Sequence, residues 1–174
     1  MGGSSRKNMT DKTGNNIKLR ELQKEDAQMI FEWRNSDFIS KVGSLQKKVS
    51  WKEHQNWILS AIKDTKKVIY IIQNHGTDVG QIRFEKDNDD STQASISIYV
   101  IEPYLKKGIG LESLNIACKM IFQYWNDLQQ IDALVREENL KSQSFFTKAG
   151  FLYSNNQHIK QHKIYHFYKS DFLK

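Results

Sequence analysis

Hydrophobic spacing along the chain switches between two periods. Ile17–Glu21 reads as a short strand, and 24–35 places Ala27, Ile30, Phe31 and Arg34 on one helical stripe. Ser50-Trp51-Lys52-Glu53 is a capping box. It opens a helix whose stripe is His54, Trp57, Ile58, Ala61 and Ile62. Val68–Ile72 is a continuous apolar run, as expected of a buried strand. A turn at His75-Gly76-Thr77-Asp78 leads into a strand, Val79–Glu85. Lys86, Asp87, Asp89 and Asp90 mark a charged loop, and Ala94–Val100 then alternates, with Ala94, Ile96, Ile98 and Val100 on one face. A helix is predicted from about Gly108, with Leu111, Leu114, Cys118, Ile121, Phe122 and Trp125 as its stripe. Ile131–Val135 is a strand, Asn139 caps a helix ending at Gly150, and 151–153 and 163–168 finish as strands.

The order β-α-α-β-β-β-α-β-α-β-β has no repeat and no splitting linker. Adjacent strands argue for antiparallel hairpins, and the strand–helix–strand stretch 94–135 for one parallel crossover. The class is α/β (α+β) with a mixed sheet. At 174 residues one domain is expected, spanning 17–174, with 1–16 as a polar disordered leader or tag remnant. The leader has no apolar signal core, and no run approaches the ~20 residues of a membrane span. With one cysteine, Cys118, a disulfide framework and a Cys-rich metal site are excluded. These features point to a cytoplasmic protein.

The net charge of +6 suggests an anionic partner. No basic run with interleaved aromatics accompanies it, so nucleic acid is not the expected partner. The anion is better sought at Tyr104-Leu105-Lys106-Lys107-Gly108-Ile109-Gly110-Leu111, between a strand and an amphipathic helix. Two glycines one residue apart allow a tight turn, and N–H groups at a helix start can cradle an anion beside Lys106 and Lys107. The alternative is a helix start that merely uses glycine. Ser113 stands where a dinucleotide fingerprint wants glycine, and Leu111 where a P-loop wants lysine. Gln81, Arg83 and Glu85 share one face of their strand; Ser95, Ser97 and Tyr99 share a face of the next. Paired as a hairpin, the rows form a polar floor, which reads either as a cleft or as a solvated sheet face.

Taken in order, these segments resemble the GNAT superfamily of acetyl-CoA-dependent N-acetyltransferases across roughly 17–170. Leu19-Arg20 with Glu25-Asp26-Ala27 and Trp33-Arg34-Asn35 resembles the family's first strand and helix. Val79-Gly80-Gln81-Ile82-Arg83-Phe84 resembles its third strand. Residues 103–110 resemble its pyrophosphate loop, and Asn139 with Ser142, Phe146, Lys148, Gly150 and Phe151 its last helix–strand motif. Trp33-Arg34-Asn35, the 50–57 helix start and Gly80–Glu85 also resemble N-acetyltransferases that modify the 4-amino group of nucleotide-linked deoxyamino sugars, as in pseudaminic acid biosynthesis. The resemblance implies a mostly antiparallel sheet of six to seven strands flanked by about four helices.

It further implies acetyl-CoA as co-substrate, its pyrophosphate on the N–H groups of Lys106, Lys107, Gly108, Ile109, Gly110 and Leu111. The pantetheine arm would pair with Ile98 and Val100, and Asn139 and Ser142 would hold the far side. Glu85 is the first candidate base for the acceptor amine and His54 the second, imidazole having a suitable pKa. The alternative for His54 is a satisfied histidine packed on its own helix. Arg34, Asn35 and Arg83 are the candidate binders of a phosphorylated acceptor. The superfamily's usual general-acid tyrosine falls at Phe146, so sequence assigns no acid. Trp51, Trp57 and Trp125 read as core, and Cys118 as buried and inert. The histidines His158, His162 and His166 lack metal spacing, and no metal is expected. The reading is direct acetyl transfer to a small-molecule amine, a nucleotide sugar, by a monomer or homodimer. The alternatives are an N-acetyltransferase of protein N-termini (ribosomal-protein type) or other small amines, and a non-catalytic acyl-CoA-binding module.

Overall fold

A computed structural model describes residues 14–42, 48–86, 92–155 and 161–172. Leader positions 1–13, the loop acids Asp87, Asp89 and Asp90, and His158 lie outside the described residues. Among the described residues, seven strands form one sheet: β1 (Ile17–Glu21), β2 (Lys67–Asn74), β3 (Thr77–Lys86), β4 (Gln93–Val100), β5 (Gln130–Arg136), β6 (Leu152–Tyr153) and β7 (His162–Tyr168). Their order is β1-β2-β3-β4-β5-β7-β6. All neighbours are antiparallel except β4 and β5, which are parallel. The expected hairpin and single crossover are both present, and β4 is the middle strand.

Among the described residues, six helices decorate the sheet: α1 (Ala27–Asn35), α2 (Asp37–Val42), α3 (Trp51–Lys63), α4 (Ile109–Tyr124), α5 (Leu140–Lys148) and α6 (Lys169–Phe172). The strand alternation decides which helix meets which face. Ile82, Phe84, Ala94, Ile96 and Val100 pack with Leu114, Cys118, Ile121 and Phe122 of α4 and Phe146 of α5. On the opposite face Ile71 meets Ile30 of α1 and Ile58 of α3, all three at most 2% exposed. Each such side chain contributes about 1.5–3 kcal/mol by leaving water.

The boundaries differ from the sequence reading for local reasons. Residues 24–26 form a 3₁₀ turn ahead of α1, because Asp26 turns back to accept the Gln23 N–H at 2.8 Å. The Ser50–Glu53 capping box is formed, with Ser50 Oγ accepting from the Glu53 N–H at 3.3 Å. On α3, Ile62 and Trp51 are exposed rather than core, since α1 covers only part of that helix. Trp125 is buried, and Trp57 is half-buried. The two short helices α2 and α6 have too few turns to show a period. Gly14, Asn15 and Asn16 are placed: the His75 N–H donates to Asn16 O at 3.1 Å, and Asn16 N–H to Asn74 Oδ1 at 3.2 Å.

Candidate active site

The sheet opens at its centre. β4 and β5 pair only from Gln93–Gln130 to Ile96–Ala133, and the ends of the two strands run on without pairing. The Ile101 N–H donates to Val79 O at 2.9 Å, so odd-numbered residues at this end of β4 turn their backbone groups toward β3. Ile98 and Val100 therefore present N–H and C=O to the opening. That is the orientation needed to pair with an extended, amide-bearing arm.

Immediately beyond, the chain stops being a strand. Pro103 lies in the 3₁₀ turn Glu102–Tyr104, and the backbone then takes positive φ at Lys106 (60°) and Gly108 (77°). This change of hand turns successive N–H groups inward. The first backbone bond of α4 runs from Glu112 N–H to Gly108 O at 3.1 Å, so the N–H groups before it have no acceptor within the helix. Lys106 and Lys107 are exposed beside them, and Lys107 Nζ lies 5.0 Å from the Tyr104 ring centroid. Ile109 is buried and anchors the turn. Gly110 packs closely on α5: a Cβ there would come within 3.3 Å of the Phe145 ring. A donor-rich, cationic helix start beside an open strand edge fits a pyrophosphate with an extended arm, so the residues present suit coenzyme A.

Across the opening, α5 begins at Asn139, whose Oδ1 accepts the Ser142 N–H at 3.0 Å. Its oxygen is thus occupied as a cap. The turn before it is fixed by Gln143, which the sequence reading missed. Gln143 Nε2 donates to Glu137 O (2.7 Å) and Arg136 O (3.3 Å), while its Oε1 accepts from Lys163 Nζ (3.1 Å) and the Tyr165 hydroxyl (3.4 Å). A polar residue one turn before Phe146 on the inner face of α5 was its only signal. Phe146 itself is buried against Phe145 and Phe151 at centroid distances of 5.2 and 5.0 Å. That position belongs to the core here and offers no proton.

The polar floor exists as the alternation implied. Gln81 pairs with Tyr99, Arg83 with Ser97 and Glu85 with Ser95. The Tyr99 hydroxyl donates to Gln81 Oε1 at 3.0 Å, and Trp33 of α1 meets the Tyr99 ring edge-on at 6.3 Å. Burial pushes the Tyr99 phenol well above the usual tyrosine range, against the pull of Arg34 and Arg83. Arg83 lies 6.0 Å from the Trp57 ring. Burial lowers its proton affinity, and the Arg34 charge lowers it further; Glu85 opposes both. Two guanidinium groups thus share the floor with one carboxylate. That carboxylate is shared too: Glu85 pairs with Lys67 Nζ at 3.0 Å and lies 3.9 Å from Arg83 Nε.

Two other candidates are used structurally. His54 is 2% exposed among Phe31, Trp51 and Trp57, and its Nε2 donates to Ala27 O at 2.8 Å. Burial lowers its pKa, the carbonyl works the other way, and Arg34 lowers it further. Asn35 clamps residue 49 from both ends of its amide, donating to Val49 O at 3.0 Å and accepting from Val49 N–H at 2.9 Å. It shapes the approach to α3. The first-strand motif has a structural use as well, because Arg20 grips Asp26 and Asp78. Cys118 is buried, and burial raises its thiol far above the ordinary range. Among the described residues no group of three or more His, Cys, Asp or Glu is placed to hold a metal, and no helix is long and apolar enough to cross a membrane.

The chain is 26% identical over 138 residues to an uncharacterized protein of Methanocaldococcus jannaschii, covering 78% of this chain. The match spans 28% of that longer protein. In fold it is similar to spermidine N-acetyltransferase from Vibrio cholerae in complex with CoA and spermine, with a TM-score of 0.79 at 18% identity, covering 91% and 98% of the two chains. It is likewise similar to an aminoglycoside acetyltransferase in complex with coenzyme A, with a TM-score of 0.77 at 16% identity, covering 91% and 98%. The model of the acetyltransferase (GNAT) domain matches residues 16–152, from the first strand to the start of β6, and so takes in the opening, the loop and the floor together. The chain belongs to the GNAT acetyltransferase family.

Proposed function

We propose that the protein transfers an acetyl group from acetyl-CoA to the primary amine of a small phosphorylated acceptor. The acceptor proposed is a nucleotide-linked amino sugar of the kind modified in pseudaminic acid biosynthesis. The observation carrying this reading is the charge of the floor: Arg34 and Arg83 act together there, while Glu85 is engaged by Lys67. Guanidinium groups attract and fork onto phosphate. A polycation such as a polyamine meets repulsion on the same surface.

Coenzyme A supplies the acetyl group activated as a thioester. In this reading the N–H groups of residues 106–111 hold its pyrophosphate, Ile98 and Val100 align its arm, and Asn139 and Ser142 flank it from α5. Transfer joins the acceptor nitrogen to the acetyl carbon and releases a thiol, so the acceptor ammonium must first lose a proton. Arg34 and Arg83 assist, because nearby positive charge disfavours the ammonium form. Glu85 is the proposed proton acceptor, acting through water because two cations occupy its carboxylate. His54 is too enclosed for that task. No cysteine is placed as a nucleophile, so transfer occurs directly in a ternary complex.

Thiol release from acetyl-CoA, measured with a panel of amines, tests the proposal. A nucleotide-linked 4-amino sugar should turn over faster than spermidine, an aminoglycoside or a peptide N-terminus. Arg83→Met should raise KM for that sugar tenfold or more and leave KM for acetyl-CoA unchanged. Turnover confined to peptides or polyamines would sink the sugar reading. An Arg83→Met enzyme with wild-type sugar KM would remove the argument from charge.

A further inference from the structure

Asn15 lies one residue before the stretch matched by the family model, yet it touches the helix start at the heart of the site. Its Nδ2 donates to Lys107 O at 2.9 Å and to Glu112 Oε2 at 3.2 Å, across a separation of more than ninety residues. The two acceptors flank the left-handed Gly108, one just before it and one in the first turn of α4. The segment carrying Asn15 is itself tied down on both sides. The His75 ring nitrogen Nε2 contacts Gly14 O at 3.1 Å, the His75 N–H reaches Asn16 O at 3.1 Å, and Asn16 N–H reaches Asn74 Oδ1 at 3.2 Å. Residues 14–16 are therefore a strap from the β2–β3 turn to the start of α4.

We propose that Asn15 is a positioning residue for the pyrophosphate loop, resting on the reading that this loop holds the pyrophosphate of coenzyme A. The argument is the geometry of one peptide unit. In a trans peptide the C=O and the following N–H point in opposite directions. Holding the Lys107 carbonyl toward Asn15 aims the Gly108 N–H away from the strap, toward the side left for the anion. Gly108 has no side chain to fix that orientation, and its left-handed backbone is open to other conformations. The contact to Glu112 ties the same peptide to the first turn of α4, so loop and helix present their N–H groups as one rigid array. Asn15 touches no substrate in this arrangement; it acts through the Gly108 N–H.

Calorimetric titration of CoA into wild type, Asn15→Ala and Asn15→Asp tests the inference without any amine acceptor. Loss of one donor that orients a charged-ligand site should raise the CoA dissociation constant about five- to tenfold in both variants, with kcat on the full system unchanged. Acetyl-pantetheine, a thioester lacking the pyrophosphate, separates positioning from general damage. Its KM should be the same in all three proteins, whereas KM for acetyl-CoA should rise with the dissociation constant. Equal CoA affinity in wild type and both variants overturns the role of Asn15 and leaves the loop reading standing. Parallel losses with acetyl-CoA and acetyl-pantetheine also overturn it, because they show damage that is not specific to the pyrophosphate. Wild type that fails to bind CoA overturns the loop reading and this inference with it.

Discussion

Gly80 is the position where the smallest change should do the most harm. A Cβ added there would sit 2.3 Å from the Tyr99 carbonyl oxygen and 3.0 Å from Val100 Cα, both backbone atoms of β4. Ordinary C···O approach between strands is about 3.3–3.6 Å, so β3 and β4 must part by about 1 Å. The bond from Ile101 N–H to Val79 O, one residue further along the pair, is the first to lengthen. Overpacking strain of about 2 kcal/mol and a net loss of about 1 kcal/mol for the bond give about 3 kcal/mol. For a domain of this size that lowers Tm by about 6–12 °C. The displaced backbone is that of Tyr99 and Val100, at the mouth of the opening, so CoA affinity should fall about tenfold as well. Differential scanning calorimetry and CoA titration of Gly80→Ala measure both. Gly76→Ala is the control: unlike Gly80 it has positive φ, 79°, but nothing lies within 4 Å of its added carbon. It should lose only the left-handed strain of about 1–2 kcal/mol and keep its CoA affinity. If Gly80→Ala melts within 2 °C of wild type with the same CoA affinity, the close approach of the two strands is not what fixes the opening.

Three more outcomes follow from other parts of the molecule. Ser113 Oγ is buried in α4 without a hydrogen-bond partner among the described residues, so Ser113→Ala should stabilise by about 1 kcal/mol, seen as a Tm higher by about 2–4 °C. Arg20→Met leaves Asp26 and Asp78 facing each other with side-chain exposures of 10% and 24%, and should cost about 3 kcal/mol in urea unfolding with an unchanged m-value. His54 has a folded-state pKa below its ordinary 6.5, so the unfolded chain binds more protons. Its contribution is complete above pH 6.5 and is lost as pH falls toward the folded value; unfolding free energy should drop between pH 7 and 5, and His54→Gln should flatten that slope.

Much of the architecture was legible because two-residue alternation and helical stripes are local properties. Ala94–Val100 announced both its faces, and the paired rows Gln81–Glu85 and Ser95–Tyr99 followed from register alone. The turn at 106–108 and the helix start after it were legible for the same reason, since the left-handed backbone at Gly108 is a local property. What was hidden depends on partners distant in sequence. Nothing near His54 says that Ala27 O will accept a hydrogen bond from its Nε2, and nothing near Asn35 names Val49. Asn15 reads as one more polar residue in a polar leader until the sheet brings Lys107 beside it. Arg20 and Asp26 looked like motif letters and turned out to be an ion pair, with Asp78 supplied by a third segment.

The unpaired ends of β4 and β5 make the sheet two half-sheets, joined side by side through only four residue pairs. Seen this way, the proposed donor site is an interior strand edge, and a strand edge without partners is ordinarily a hazard for pairing with other chains. Here it faces β5, the neighbouring strand from which it has parted. An arm that hydrogen-bonds along it splices the halves together, and occupancy becomes a mechanical state of the whole sheet. Amide exchange at Ile98 and Val100 should then slow when the arm is present and quicken when it leaves. On the reading proposed above, the arm of coenzyme A would complete the sheet as a further strand does.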